Sequence, residues 1–162
     1  MDVVVLADTH LKGGLELPGA LRAALADADV VLHAGDVTSA LALEQLCSSV
    51  PTHAVLGNND HALVGALPGS QLVELDGVRV GMVHDSGAAR GRAARLKRMF
   101  PQADVVVFGH SHVPIDEVGI GGQILFNPGS PTQRRAQPWR TFGRLRIAGH
   151  VVTTRSIETL GD

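Results

Sequence analysis

The chain has 162 residues, 44% of them hydrophobic and 19% charged, with a formal net charge of -2 at pH 7. That length supports residues 1–162 as one domain, and the near-neutral balance excludes a global field for nucleic acid or membrane while leaving room for a local basic patch. The single cysteine, Cys47, excludes an intrachain disulfide and a cysteine-based metal site; it fits a reducing cytosol and reads as a small core residue on a helix.

The chain opens Met-Asp and enters a strand at once, with no secretory leader pattern. Its apolar runs fall short of the ~18 residues that suggest a membrane span. The expectation is a cytoplasmic protein with no membrane partner. Val3 to Ala7 is a continuous apolar run, the mark of a strand covered on both faces. Residues 19–28, rich in Ala and Leu, predict a helix. Val30 to His33 is the next strand, Thr38 is placed to cap a helix reaching about Ser48, and His53 to Leu56 is a third strand. Strand, helix, strand, helix, strand with short loops implies parallel pairing and an α/β layered fold.

The second half is richer in strands. Gln71 to Leu75 and Val78 to Val83 flank Asp76-Gly77, a two-residue hairpin signal. A helix at about 90–100 places Ala93, Leu96 and Phe100 on one face. Val105 to Phe108, Ile115 to Val118 and Gln123 to Phe126 follow, the last two around a glycine-rich turn. A final pair lies at about 140–147 and 150–156. The elements add up to two mixed β-sheets facing each other, flanked by helices, a four-layer α/β/β/α sandwich.

Written together, the strand ends are VVVLADTH, VVLHAGD, HAVLGNND, VGMVHD and VVVFGHSH. Apolar runs that all stop in Asp, Asn or His suggest one shared site, because ligands of α/β sheets lie at carboxyl ends of strands. Gly35, Gly57 and Gly109 precede three of these groups and allow tight turns. The candidate metal ligands are Asp8, His10, Asp36, Asn58, His84, His110 and His112. Mixed oxygen and nitrogen donors without thiolate suit Mn, Fe, Co, Ni or Zn better than Ca or Mg. Seven donors exceed the needs of one four-coordinate ion and fit two divalent metal ions about 3.5–4 Å apart that share a carboxylate. Asp36 is the candidate bridge, and Mn2+ the favoured ion.

The ordered set D-x-H, G-D, G-N-x-D, H and G-H-x-H resembles the calcineurin-like metallophosphoesterase family, and its spacing resembles the compact YfcE-like bacterial phosphodiesterase branch. The resemblance spans Asp8 to Ser130. It implies one metal held by Asp8, His10, Asp36 and His112, and another by Asp36, Asn58, His84 and His110. It also implies a sandwich of two mixed sheets flanked by helices. The implied reaction is phosphoester hydrolysis by in-line attack of a metal-bridging hydroxide on a small phosphodiester or nucleotide substrate.

Two positions depart from the family pattern. Many members carry a leaving-group histidine where this chain has Asn59, and an amide cannot donate that proton. His84 is followed by Asp85, where glycine is frequent. Asp60 is expected to orient His10 through its other ring nitrogen. His61 is the candidate replacement acid, so the catalytic set is His10, Asp36, Asn58, Asp60 and His61. Asn59, Ser130 of the Asn127-Pro-Gly-Ser130 turn and Arg134 are the candidate substrate contacts, with Arg135 beside them as a further phosphate binder. The arginine-rich run Gly91 to Arg98 reads as a solvated helix face or an anion collector. His33 and His53 read as packing residues or supports behind the ligands, His150 as a surface residue, and Trp139 as the anchor of its loop. Aromatic residues make up 3% of the chain, which argues against dedicated nucleic-acid binding. Competing readings on the same fold are a protein-interaction scaffold, like the retromer subunit, and a metal-binding regulator with vestigial turnover; a homo-oligomer is left open.

Overall fold

Alternation along the strands decides the layers. In β1 (Asp2–Leu6), Val3 and Val5 face one side while Val4 and Leu6 face the other, and all four are buried. A strand covered on both faces needs a layer on each. The computed structural model describes residues 1–161 and supplies both.

The first sheet follows from the βαβαβ start. Helix α1 (Gly19–Ala26) leads to β2 (Val30–His33), and α2 (Ala40–Ser49) leads to β3 (Thr52–Ala54). These strands run parallel, with Val3 opposite Val30 and Val31 opposite Thr52. The second sheet begins with the hairpin β4 (Ser70–Leu75) and β5 (Val78–Val83). Asp76 and Gly77 both take positive φ, 46° and 79°, as a two-residue hairpin turn of this hand requires. Helix α3 (Arg92–Met99) precedes β6 (Val105–Val107), β7 (Ile115–Val118) and β8 (Ile124–Asn127). The chain then returns to the first sheet through β9 (Arg140–Ala148) and β10 (Val151–Leu160). The orders are β10-β9-β1-β2-β3 and β4-β5-β6-β8-β7, each mixing parallel and antiparallel pairs.

Three apolar layers result. Val3, Val5, Leu32, Val80, Val105 and Phe126 pack between the sheets. Val4, Leu6 and Val31 meet Leu21 and Leu46 of α1 and α2. Val106, Phe108 and Leu125 meet Leu96 and Phe100 beside α3. This is the four-layer α/β/β/α sandwich expected from the strand and helix order.

Four local expectations are corrected. Thr38 does not cap α2. It sits at φ 68°, its amide donates to Asp60 and its hydroxyl to Leu11 O, so Ser39 caps instead and accepts from Ala42 N at 3.2 Å. The third strand ends at Ala54, because the amide of Leu56 turns away to Pro68 O at 2.8 Å. Cys47 is exposed; α2 buries Ala42 and Leu46, and the next position is rotated ~100° off that face. Trp139 is 52% exposed and does not anchor its loop in the body. Among the described residues, no helix is long and apolar enough to cross a membrane.

Candidate metal centre

The site lies beyond the carboxyl ends of β1, β2, β3, β5 and β6, where the chain bends sharply. Asp8, His10, Asp36, His110 and His112 all occupy the left-handed region, with φ of 54°, 42°, 59°, 70° and 59°. Such a conformation costs a non-glycine residue about 1–2 kcal/mol and persists only where the surroundings impose it. Here the loops are tied to one another. The amide of Asp8 donates to Gly35 O, that of His10 to Asp36 O and that of Gly109 to His84 O, each at 2.9 Å. Glycine at 57 and 109 answers a close approach rather than a positive φ. A Cβ at Gly57 would meet the amide and carboxylate of Asp36 at 2.2 Å, and one at Gly109 would meet Ala7 Cβ at 2.7 Å.

All seven candidate ligands converge. His112 Nδ1 donates to Gln133 O at 2.6 Å and His84 Nδ1 donates to Ala34 O at 2.7 Å. A carbonyl only accepts, so in each neutral ring the bare Nε2 points inward. His112 Nε2 lies 3.3 Å from His10 Nε2 and 3.5 Å from Asp8 Oδ1. On the other side, His84 Nε2 lies 3.0 Å from Asn58 Oδ1, which is 2.9 Å from His110 Nδ1. Asp36 Oδ2 stands between, 3.5 Å from both His10 Nε2 and His84 Nε2. Donors about 2.1 Å from one cation are separated by roughly 3.0–3.4 Å, so these edges have the size of a coordination shell. Asp8, His10 and His112, and likewise Asp8, Asp36 and His84, keep their ligand atoms within 4.8 Å of one another. Asp8 is common to both triplets, yet its Oδ1 lies 4.0 Å from His84 Nε2, so Asp36 is the more evenly placed carboxylate. Asp8 Oδ2 is buried without any hydrogen-bond partner, an orphan that a cation would satisfy.

The electrostatics agree with a site built to be filled by positive charge. Burial pushes the Asp8 carboxyl up to about 7, and the His84 charge opposes this while Asp36 adds to it. Burial also works against ionised Asp36, but hydrogen bonds from His84 and from the amide and side chain of Asn59 outweigh it and hold this carboxyl low. Burial lowers His10 and His112, which keeps both rings neutral and available as ligands. His84 is raised despite burial, by Asp36 and by its bond to Ala34 O, so a cation would take the place of its Nε2 proton.

Residues 1–150 match the calcineurin-like phosphoesterase superfamily domain. The chain belongs to that family. Over 162 residues it is 36% identical to a probable metallophosphoesterase of Methanothermobacter thermautotrophicus, covering 98% of this chain and 93% of the relative. Its fold is shared with Vps29 of Entamoeba histolytica complexed with Zn2+, at 20% identity and TM-score 0.75, over 99% of this chain and 98% of that one. It is shared also with a novel archaeal phosphodiesterase, at 19% identity and TM-score 0.73, over 99% and 100%. The protein is thus a member of a metal-dependent phosphoesterase family, with groups of side chains that could hold the metal.

Within this phosphoesterase, several expected roles move. Asp60 does not orient His10. Its buried carboxylate accepts from the amides of Asp36, Gly57 and Thr38 at 2.8, 2.7 and 2.6 Å, and so ties the second and third ligand loops together. Ser130 does not face the open site. It is 1% exposed and its hydroxyl donates to Asp8 O at 2.7 Å. Arg134 turns away and donates to Gln137 O, whereas Arg135 reaches His110 O at 3.4 Å. Asn59 directs its side-chain amide at Asp36 Oδ2, 2.7 Å away, rather than into open space. His61 is exposed at the start of a 3-10 turn, one residue beyond Asp60. Asp85 accepts from Gly87 N and is exposed. Arg92 and Arg95 of the basic run hold the 86–88 loop, through Ser86 and Ala88 O. Two supporting residues escaped the sequence reading. Gln133 and Thr132 act through main-chain and hydroxyl oxygens, which no side-chain pattern announces.

Proposed function

We propose that this phosphoesterase holds two divalent cations, Mn2+ by preference, and hydrolyses small phosphodiesters or nucleotide esters by in-line displacement. The observation that carries the reading is the position of Asp36 Oδ2, 3.5 Å from a ring nitrogen of each donor group. When bound, such a pair of ions acidifies a water and neutralises charge on the phosphoryl oxygens. Asp8, His10 and His112 supply one side and Asn58, His84 and His110 the other. Gln133 O and Ala34 O fix two of the rings so that Nε2 would be free to hold the ions. Asn59 keeps Asp36 ionised and offers no proton to a leaving group. Substrates with good leaving groups therefore suit the site better than alkyl monophosphates. The complete donor set is what favours catalysis over a scaffold role in this reading.

The test is turnover of a generic aryl phosphodiester by Mn2+-loaded protein beside Asp36→Asn. Wild-type turnover and a loss of about 10³-fold in the variant are expected. Metal-loaded wild type that turns over no phosphoester with any divalent ion contradicts the proposal, and equal turnover of an alkyl monophosphate contradicts the leaving-group preference.

A further inference from the structure

Segment 130–135 is fastened to both sides of the donor cluster. Ser130 Oγ donates to Asp8 O and Thr132 Oγ1 to Thr9 O, each at 2.7 Å. Gln133 O receives His112 Nδ1 at 2.6 Å. Arg135 then turns back at φ 49°, and its Nη1 lies 3.4 Å from His110 O. Backbone in that region is unusual for arginine and is held here by the ties on either side.

The guanidinium so placed is exposed, with donors free for a ligand. Its bond to His110 O uses one of its five N–H groups. Among the described residues, no carboxylate stands within 4.0 Å of it, although the neighbouring loops carry Asp8 and Asp36. Its contact with the main chain of His110, a candidate ligand, places the exposed guanidinium at the rim of the donor cluster. The side-chain amide of Asn59 is already spent on Asp36. Phosphoryl transfer builds charge on the non-bridging oxygens, and a forked, permanently charged donor suits two of them at once.

We propose that Arg135 is a catalytic residue of this protein, whose guanidinium holds a non-bridging phosphoryl oxygen of the substrate and offsets charge there in the transition state. The inference rests on the two-metal phosphoesterase reading, and it can be judged without turnover. Inorganic phosphate is titrated calorimetrically into Mn2+-loaded wild type, Arg135→Ala and Arg135→Lys. Metal content is measured alongside, together with kcat/KM on the aryl diester. Phosphate affinity should fall about tenfold or more in Arg135→Ala, and kcat/KM about 10²-fold, with metal content unchanged. Arg135→Lys should lie between, because it keeps the charge and loses the fork. Phosphate affinity within twofold of wild type in Arg135→Ala overturns the inference. So does loss of metal from that variant, which would make Arg135 a support of the ligand loops, and so does a wild type that binds no phosphate. A wild type that binds phosphate through Arg135 but hydrolyses nothing would sink the phosphodiesterase reading and with it the catalytic role, leaving only the phosphate contact.

Discussion

Asp8 sits under the greatest electrostatic strain in the cluster. Its carboxyl titrates at about 7 in the fold against an ordinary 3.8. Between those values the metal-free fold keeps a proton that the unfolded chain has lost. Metal-free stability therefore falls as pH rises from about 4 to 7 on account of Asp8. Asp36 contributes with the opposite sign, but its carboxyl is held low, so its window lies below that range. His10 and His112, lowered by burial, also oppose the trend in the window just below their ordinary 6.5. A comparison with Asp8→Asn isolates the effect. In chelator, thermal denaturation should show the variant gaining on wild type between pH 5 and pH 8, while added Mn2+ stabilises wild type more than the variant. A pH-independent difference in melting temperature would refute the assignment. Asn59 carries a second prediction at this scale. Asn59→His places an acid over the site and should raise turnover of alkyl relative to aryl esters by about 10²-fold. An unchanged ratio of steady-state rates would show that leaving-group protonation is not what position 59 limits.

The residue scale also shows what a sequence can display. Asp8, Asp36, Asn58, His84 and His110 stand at the ends of apolar runs, and that pattern is local enough to read. Asp60, Ser130 and Thr38 could not be read the same way. Each has at least one partner more than 20 positions distant, and such partners exist only in the fold. Arg134 and Arg135 are adjacent and chemically identical in sequence; only the turn at Arg135 separates the one that faces the site.

At the scale of elements, strands and helices were legible because their periods are local. The Asp76-Gly77 hairpin and the apolar face of α3 follow from a few neighbouring residues. The return of β9 to pair with β1 was not, since Val5 meets Gly143 across more than a hundred positions and no local pattern encodes that choice. The connection matters for the site, because it carries segment 130–135 past Asp8 on the way. Asp60 holds the loops after β2 and β3 together, with three backbone amides on one buried carboxylate. Asp60→Ala leaves those donors unpaired and should cost about 3 kcal/mol or more, roughly 6–12 °C in melting temperature for a chain of this size. The variant should also lose metal although Asp60 touches none of it. An unchanged melting temperature with normal metal content would remove Asp60 from this structural role.

Across the whole molecule, the apolar packing is separate from the donor cluster. Three layers of buried side chains join sheets and helices without help from Asp8, Asp36 or the site histidines. The cluster occupies one end of the sandwich, where five strand ends deliver side chains, those after β1, β2 and β6 in left-handed turns. Such an arrangement can fold first and take its ions afterwards, which makes direct metal measurement clean. Chelator-stripped protein should therefore be titrated with Mn2+ and its crystals examined by anomalous scattering. Two ions per chain, about 3.5–4 Å apart with the Asp36 carboxylate between them, are predicted. A single ion, none, or ions bound away from Asp36 would contradict the account.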